Sequence, residues 1–198
     1  MKFHLLAFIC LVLLNLATHA NATTITITQT GTASAGAVAG NEWYPEISFT
    51  ITGVGDTANR VLDGTAYSIT NDHAYITFEG LGTFEFLEPT RYFVQNNGSI
   101  VGFGKIGQYL NPDLYDGPVA AEFATWDMLS SIGPISGWGG LAQWWSGLQT
   151  DRGIVMFPHQ YSPTTFQERW PRRTGQFGGG DKVESLHGHA AILKGRPA

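Results

Sequence analysis

Three tryptophans in a glycine-rich stretch, Trp138, Trp144 and Trp145 of "GWGGLAQWWSG", are the residues whose type and spacing best suit a ligand. Flat indole rings displayed on loops form platforms for sugar rings or for a protein partner. The glycines weaken both helix and strand there, so the rings are candidates for display on a loop, beside the alternative that they close the core. Adjacent side chains of an extended segment face opposite ways, so one ring of the Trp144–Trp145 pair is expected to close the core and the other to meet solvent. Trp126 is read differently. Val119, Phe123 and Trp126 fall at i, i+4 and i+7, one face of a short helix ending at Gly133-Pro134, which predicts a ring plugged into the core.

Other chemistry is sparse. Asp113 and Asp116 of "NPDLYDG" offer carboxylates, but the stretch lacks the ligand spacing and closing glutamate of a calcium loop and reads as a turn. "GFGKIG" (102–107) matches G-x-G-x-x-G, yet it runs into "QYLNPDLYDG" rather than a helix, so it reads as a glycine-bearing strand end. No G-x-S-x-G, H-E-x-x-H or phosphate-loop motif occurs. His73 and His159 sit in turn contexts without a local partner, and His187-Gly188-His189 lacks the ligand count of a tight metal site. No cofactor and no metal is therefore assigned. A glycosidase-type pair is defined by separation in space, so it stays open among the carboxylates.

The elements that would position these residues follow from charge and periodicity. Met1-Lys2, the apolar "LLAFICLVLLNLA" and Ala20-Asn21-Ala22 have the layout of an export signal, with cleavage expected after Ala22. A membrane span needs about 20 unbroken apolar residues; Asn15, Thr18 and His19 interrupt this run, and no later run of that length occurs. The single cysteine, Cys10, lies inside the signal, so the exported chain is expected to stand without disulfides on one core. From Thr23 to Gln167 there are four basic residues against thirteen acidic ones, a balance that disfavours a nucleic-acid partner. From Glu168 to Ala198 the sign reverses, with six basic against three acidic.

"TITIT" (24–28), "EISFTIT" (46–52) and "AYITFE" (74–79) alternate apolar and polar residues with period two, the mark of half-buried strands. Asn96-Asn97-Gly98 suits a tight hairpin turn, which also accounts for the Asn97-Gly98-Ser99 sequon, and Thr70-Asn71-Asp72-His73 reads as a second turn. Strands every ten residues or so predict a mainly β fold. The expected architecture is an antiparallel β-sandwich over 23–167, with one short helix, a signal peptide at 1–22 and a disordered basic tail over 168–198.

Taken together, "TTITITQTGTASAG", "ISFTITGVGDTANR", "TRYFVQNNGSIVGF" and "AEFATWDMLSSIGPISG" resemble the exported PEP-CTERM proteins of Gram-negative bacteria over roughly residues 23–167. The resemblance implies export to the cell surface, extracellular space or periplasm, in a class often found where extracellular polysaccharide is made. It carries no catalytic residues. After "PTTFQ" the chain has neither Pro-Glu-Pro nor an apolar span, a departure that suits a shifted reading frame or a freely secreted variant. The functional expectation is a non-catalytic envelope or matrix protein that contacts extracellular polysaccharide or envelope components. The alternatives are a carbohydrate-binding module built on Trp138, Trp144 and Trp145, and a secreted hydrolase.

Overall fold

The computed structural model describes residues 23–107, 111–144 and 146–170. The expected signal peptide, Trp145 and the tail from residue 171, with His187 and His189, lie outside the described residues.

The period-two segments become strands. β1 (Thr24–Ala33) buries Ile25, Ile27, Gln29 and Ala33 and turns its threonines outward. Two short strands follow, β2 (Ala37–Ala39) and β3 (Glu42–Tyr44). The long β4 (Ile47–Asp63) and β5 (Ala66–Phe78) form a hairpin whose tip turns at Gly64, where φ is 58°. β6 (Gly82–Glu85), β7 (Thr90–Gln95), β8 (Ile100–Lys105) and β9 (Asp113–Val119) continue the chain. β10 (Ile135–Leu141), β11 (Leu148–Thr150), β12 (Gly153–Met156) and β13 (Gln160–Arg169) complete it.

Eight strands close into an antiparallel barrel in the order β4-β1-β13-β10-β9-β8-β7-β5, with β5 pairing back onto β4 and β6 added to the far half of β5. A separate four-stranded sheet has the order β11-β12-β2-β3. The expected sandwich is thus replaced by a closed ring. Closure comes from β5, whose first half pairs with β7 and second half with β6 while β4 follows its whole length. The sheet coils where β4 carries register shifts around Gly55. At Gly53 a Cβ would sit 2.7 Å from the Tyr92 ring, so glycine lets the wall bend around that ring.

Side chains fill the ring, as expected for eight strands. Phe84, Phe78, Phe157, Trp144, Phe86, Phe103, Tyr92, Phe166 and Trp126 touch in succession, each pair of ring centroids 4.8–6.4 Å apart. Trp126 is the plug predicted for it, 5% exposed, with its indole N–H donating to the Ser130 carbonyl. Its scaffold is not the expected helix. Among the described residues there is no α-helix. Val119 ends β9 and is exposed, and only a 3-10 turn, Ala121–Ala124, carries Phe123 inward. Asn96 Nδ2 ties this loop down by donating to the Phe123 and Trp126 carbonyls.

Gly117, just ahead of the expected helix, belongs to a strand instead. It sits inside β9 at φ 108°, and a Cβ there would press on the Trp138 backbone. Thr70–His73, read as a turn, lies within β5. The Asn97-Gly98 hairpin turn is a 3-10 turn over Asn96–Gly98, with Ser99 taking the left-handed conformation. β13 extends through Arg169, past the expected boundary at 167. No helix among the described residues is long and apolar enough to cross a membrane.

Glu168 on β13 is 1% exposed and lies opposite Ile27. Neither carboxyl oxygen has a hydrogen-bond partner among the described residues. Burial, offset in part by the Trp170 indole and reinforced by repulsion from Asp127, pushes its pKa up to about 8. The folded state therefore holds a proton that the unfolded chain releases at ordinary carboxylate pH, so stability falls as pH rises from about 4.5 toward 8. In urea titrations across this range, Glu168→Gln is expected to flatten the decline; an unchanged slope contradicts it. Gly117→Ala is expected to cost on the order of 2–4 kcal/mol in the same assay, from positive φ and backbone collision together.

Candidate functional site

The three expected platform rings part company. Trp144 is buried at 1% exposure, donates its indole N–H to the Leu114 carbonyl at 2.7 Å and packs edge-on against Phe157. It belongs to the core and offers no face to a ligand, which corrects the reading of it as a platform ring. Trp145 lies outside the described residues. Trp138, on β10, is 68% exposed.

A second exposed ring, Tyr161, lies on the neighbouring strand and is not signalled by the tryptophan-rich stretch. Trp138 pairs with Pro163 on β13, and the next outward position on each strand is Gly140 opposite Tyr161. Tyr161 is 66% exposed, and its ring lies over Gly140, where a Cβ would come within 2.9 Å of it. Glycine on β10 thus provides the floor on which the tyrosine ring rests, and Pro163 lies in the same register row as Trp138. The available signal was alternation: Tyr161 and Pro163 occupy the exposed phase of β13, whose buried phase is Gln160, Ser162, Thr164 and Phe166.

The same row of register continues to an acid. Gly140 pairs with Asp116 on β9, Asp116 with Gly102 on β8, and Gly102 with Phe93 on β7. The Phe93 ring folds over Gly102 and is covered by the Arg91 guanidinium, 5.0 Å from its centroid. Asp116 stands between these two glycine-seated rings. Burial, repulsion from Asp113 and partial relief from Arg91 push its pKa up to about 6. Asp113, whose pKa burial also raises, is held by Arg91 at 3.0 Å. Asp113 and Asp116, read as a turn, are therefore strand residues with distinct surroundings.

Beyond Trp138, along β10 and β13, an open groove of about 640 Å³ crosses the outer wall. Thr30, Thr50, Thr77, Ser136 and Thr165 line it, with Glu79 at one side. Of the described histidines, His73 contacts Glu85 at 3.1 Å, and His159 packs edge-on against Tyr161, at the edge of the exposed aromatic patch. Among the described residues no three His, Cys, Asp or Glu side chains are grouped to hold a metal ion.

What this surface can do is stack on an apolar ring face, accept hydrogen bonds at Asp116 and exchange them with hydroxyls. No family model, curated protein or solved structure matches the chain.

Truncating the two tryptophans separates core from surface. Trp144→Ala is expected to destabilise by about 3–5 kcal/mol, and Trp138→Ala to stay within about 0.5 kcal/mol of the parent, both read by chemical denaturation.

Proposed function

We propose that this chain is an exported, non-catalytic glycan-binding protein of the cell envelope or extracellular matrix, with extracellular polysaccharide as its ligand. The observation that carries this reading is the exposure of Trp138 and Tyr161 at diagonal positions of the paired β10 and β13, next to Asp116 and a hydroxyl-lined groove. Sugar rings present C–H faces to aromatic rings and hydroxyls at their edges, which is the complement of that patch. Strands hold such a site with less freedom to lose on binding than a loop would. The signal-like segment at 1–22, the acidic body and the PEP-CTERM resemblance support placement outside the cell.

The test is a glycan array followed by affinity measurement on the best-binding polysaccharide. Trp138→Ala and Tyr161→Ala are each expected to weaken binding by about tenfold or more while the melting temperature holds. The same glycans should release no reducing ends on prolonged incubation. Full retention of binding in both variants would reject this surface, and sustained turnover would favour a hydrolase instead.

A further inference from the structure

The strand pairings place six hydroxyl side chains in one line. Ser136 on β10 lies opposite Thr165 on β13; Thr165 opposite Thr30 on β1; Thr30 opposite Thr50 on β4; Thr50 opposite Thr77 on β5; and Thr77 opposite Thr83 on β6. Six neighbouring strands thus carry Ser or Thr at the same level of one outer face, all of them exposed or half-buried. At strand spacing of about 4.8 Å the line runs roughly 24 Å. One step along the strands, Thr32 faces Ser48 on one side and Thr28 faces Thr52 on the other.

Threonine favours strands, so a threonine on a solvent face is ordinary. Alignment across six strands, with all but Thr83 lining one groove, is not, because exposed strand faces commonly carry charge. Among the described residues Glu79 is the one ionisable side chain lining this groove, and no Lys, Arg or His does. The end hydroxyls pair with one another, Ser136 with Thr165 at 2.8 Å and Thr77 with Thr83 at 2.8 Å. The central Thr30 and Thr50 hydroxyls make no side-chain hydrogen bond among the described residues, which leaves donors and acceptors open at the middle of the line. At the level of Thr30, Thr50 and Thr165 the strands β1, β4 and β13 are paired on both sides, so an added peptide strand has no free edge along this line, although the β1–β13 ladder ends at Thr30–Thr165.

We infer that the hydroxyl line is the long arm of the glycan site: an uncharged, extended polysaccharide chain lies across the strands from Thr77 to Ser136 and ends against Trp138. This rests on the glycan-binding reading above and adds the ligand's charge, shape and direction. Among the described residues Glu79 and no cation lines the groove, and the body from Thr23 to Gln167 is acidic, which disfavours an anionic chain there. A chain crossing the strands meets a hydroxyl at every step, whereas a chain running along one strand meets one only every second residue, about 6.7 Å apart.

Calorimetry with neutral cello- and manno-oligosaccharides, from disaccharide to hexasaccharide, tests this, with galacturonate oligomers of equal length as the charged comparison. Affinity is expected to rise with chain length and to favour the neutral series. The double variant Thr30→Val/Thr50→Val keeps size and strand propensity and is expected to lose about tenfold for the hexasaccharide with little change for the disaccharide. Thr30→Ser/Thr50→Ser should restore hexasaccharide binding, which a packing defect would not allow. Parental hexasaccharide affinity in the valine variant, with Trp138→Ala still impaired, overturns the long arm and leaves the aromatic site standing. A preference for galacturonate, or affinity independent of length, does the same. No binding of any neutral oligosaccharide overturns both.

Discussion

An unbroken contact of aromatic rings down the axis of the barrel is the constraint on which the rest of this molecule depends. It starts at Phe84 and Phe78 beside the small sheet, passes through Phe157, Trp144, Phe86, Phe103 and Tyr92, and ends at Phe166 and Trp126. Rings of this size bury 150–250 Å² each, so a handful supplies much of the apolar burial available to a chain without disulfides among its described residues. The buried polar ends of the column are satisfied in place. Trp144 donates to Leu114, Tyr92 to Ile51 and Trp126 to Ser130. Glu168 is an exception, a carboxyl enclosed at the Trp126 end without a partner among the described residues.

A filled axis moves function to the outside. Barrels of eight strands are just wide enough to be packed with side chains or to hold one small ligand, and here the side chains occupy that space. What the outer wall offers depends on where glycine replaces a larger residue. Gly140 and Gly102 let the Tyr161 and Phe93 rings lie flat against the strands instead of projecting. The carboxylate of Asp116 is left between them, in surroundings dry enough to shift its proton equilibrium and open enough to reach a ligand.

Part of this was legible in the chain itself. "TITIT" and "EISFTIT" alternate so regularly that the buried phase of β1 and β4, Ile25, Ile27, Ile47, Phe49 and Ile51, follows directly from period two. The inward placement of Trp126 was also legible, although the helix invoked for it was not formed. Spacing at i, i+4 and i+7 over Val119, Phe123 and Trp126 imitates a helical face, but Gly117 holds the first of these residues in a strand. A turn read at Thr70–His73 failed for a related reason: Asn71 is anchored through Thr90 on the neighbouring β7, which keeps the chain extended. Local residue preferences yielded there to partners distant in sequence.

The amino-acid order by itself determined the β class, the acidic body, the phase of the central strands and the poverty of catalytic motifs, because these depend on composition and on neighbours one or two positions away. Only the tertiary structure decided that the sheet closes rather than stacks, since closure needs β5 to reach β4, β6 and β7 at once. It alone sorted Trp144 into the core and Trp138 onto the surface. Two indoles six positions apart in a glycine-rich stretch carry no local signal of their facing; that is set by whether the strand across from each presents Pro163, as for Trp138, or the stretch leads the ring onto Phe157 and Leu114, as for Trp144.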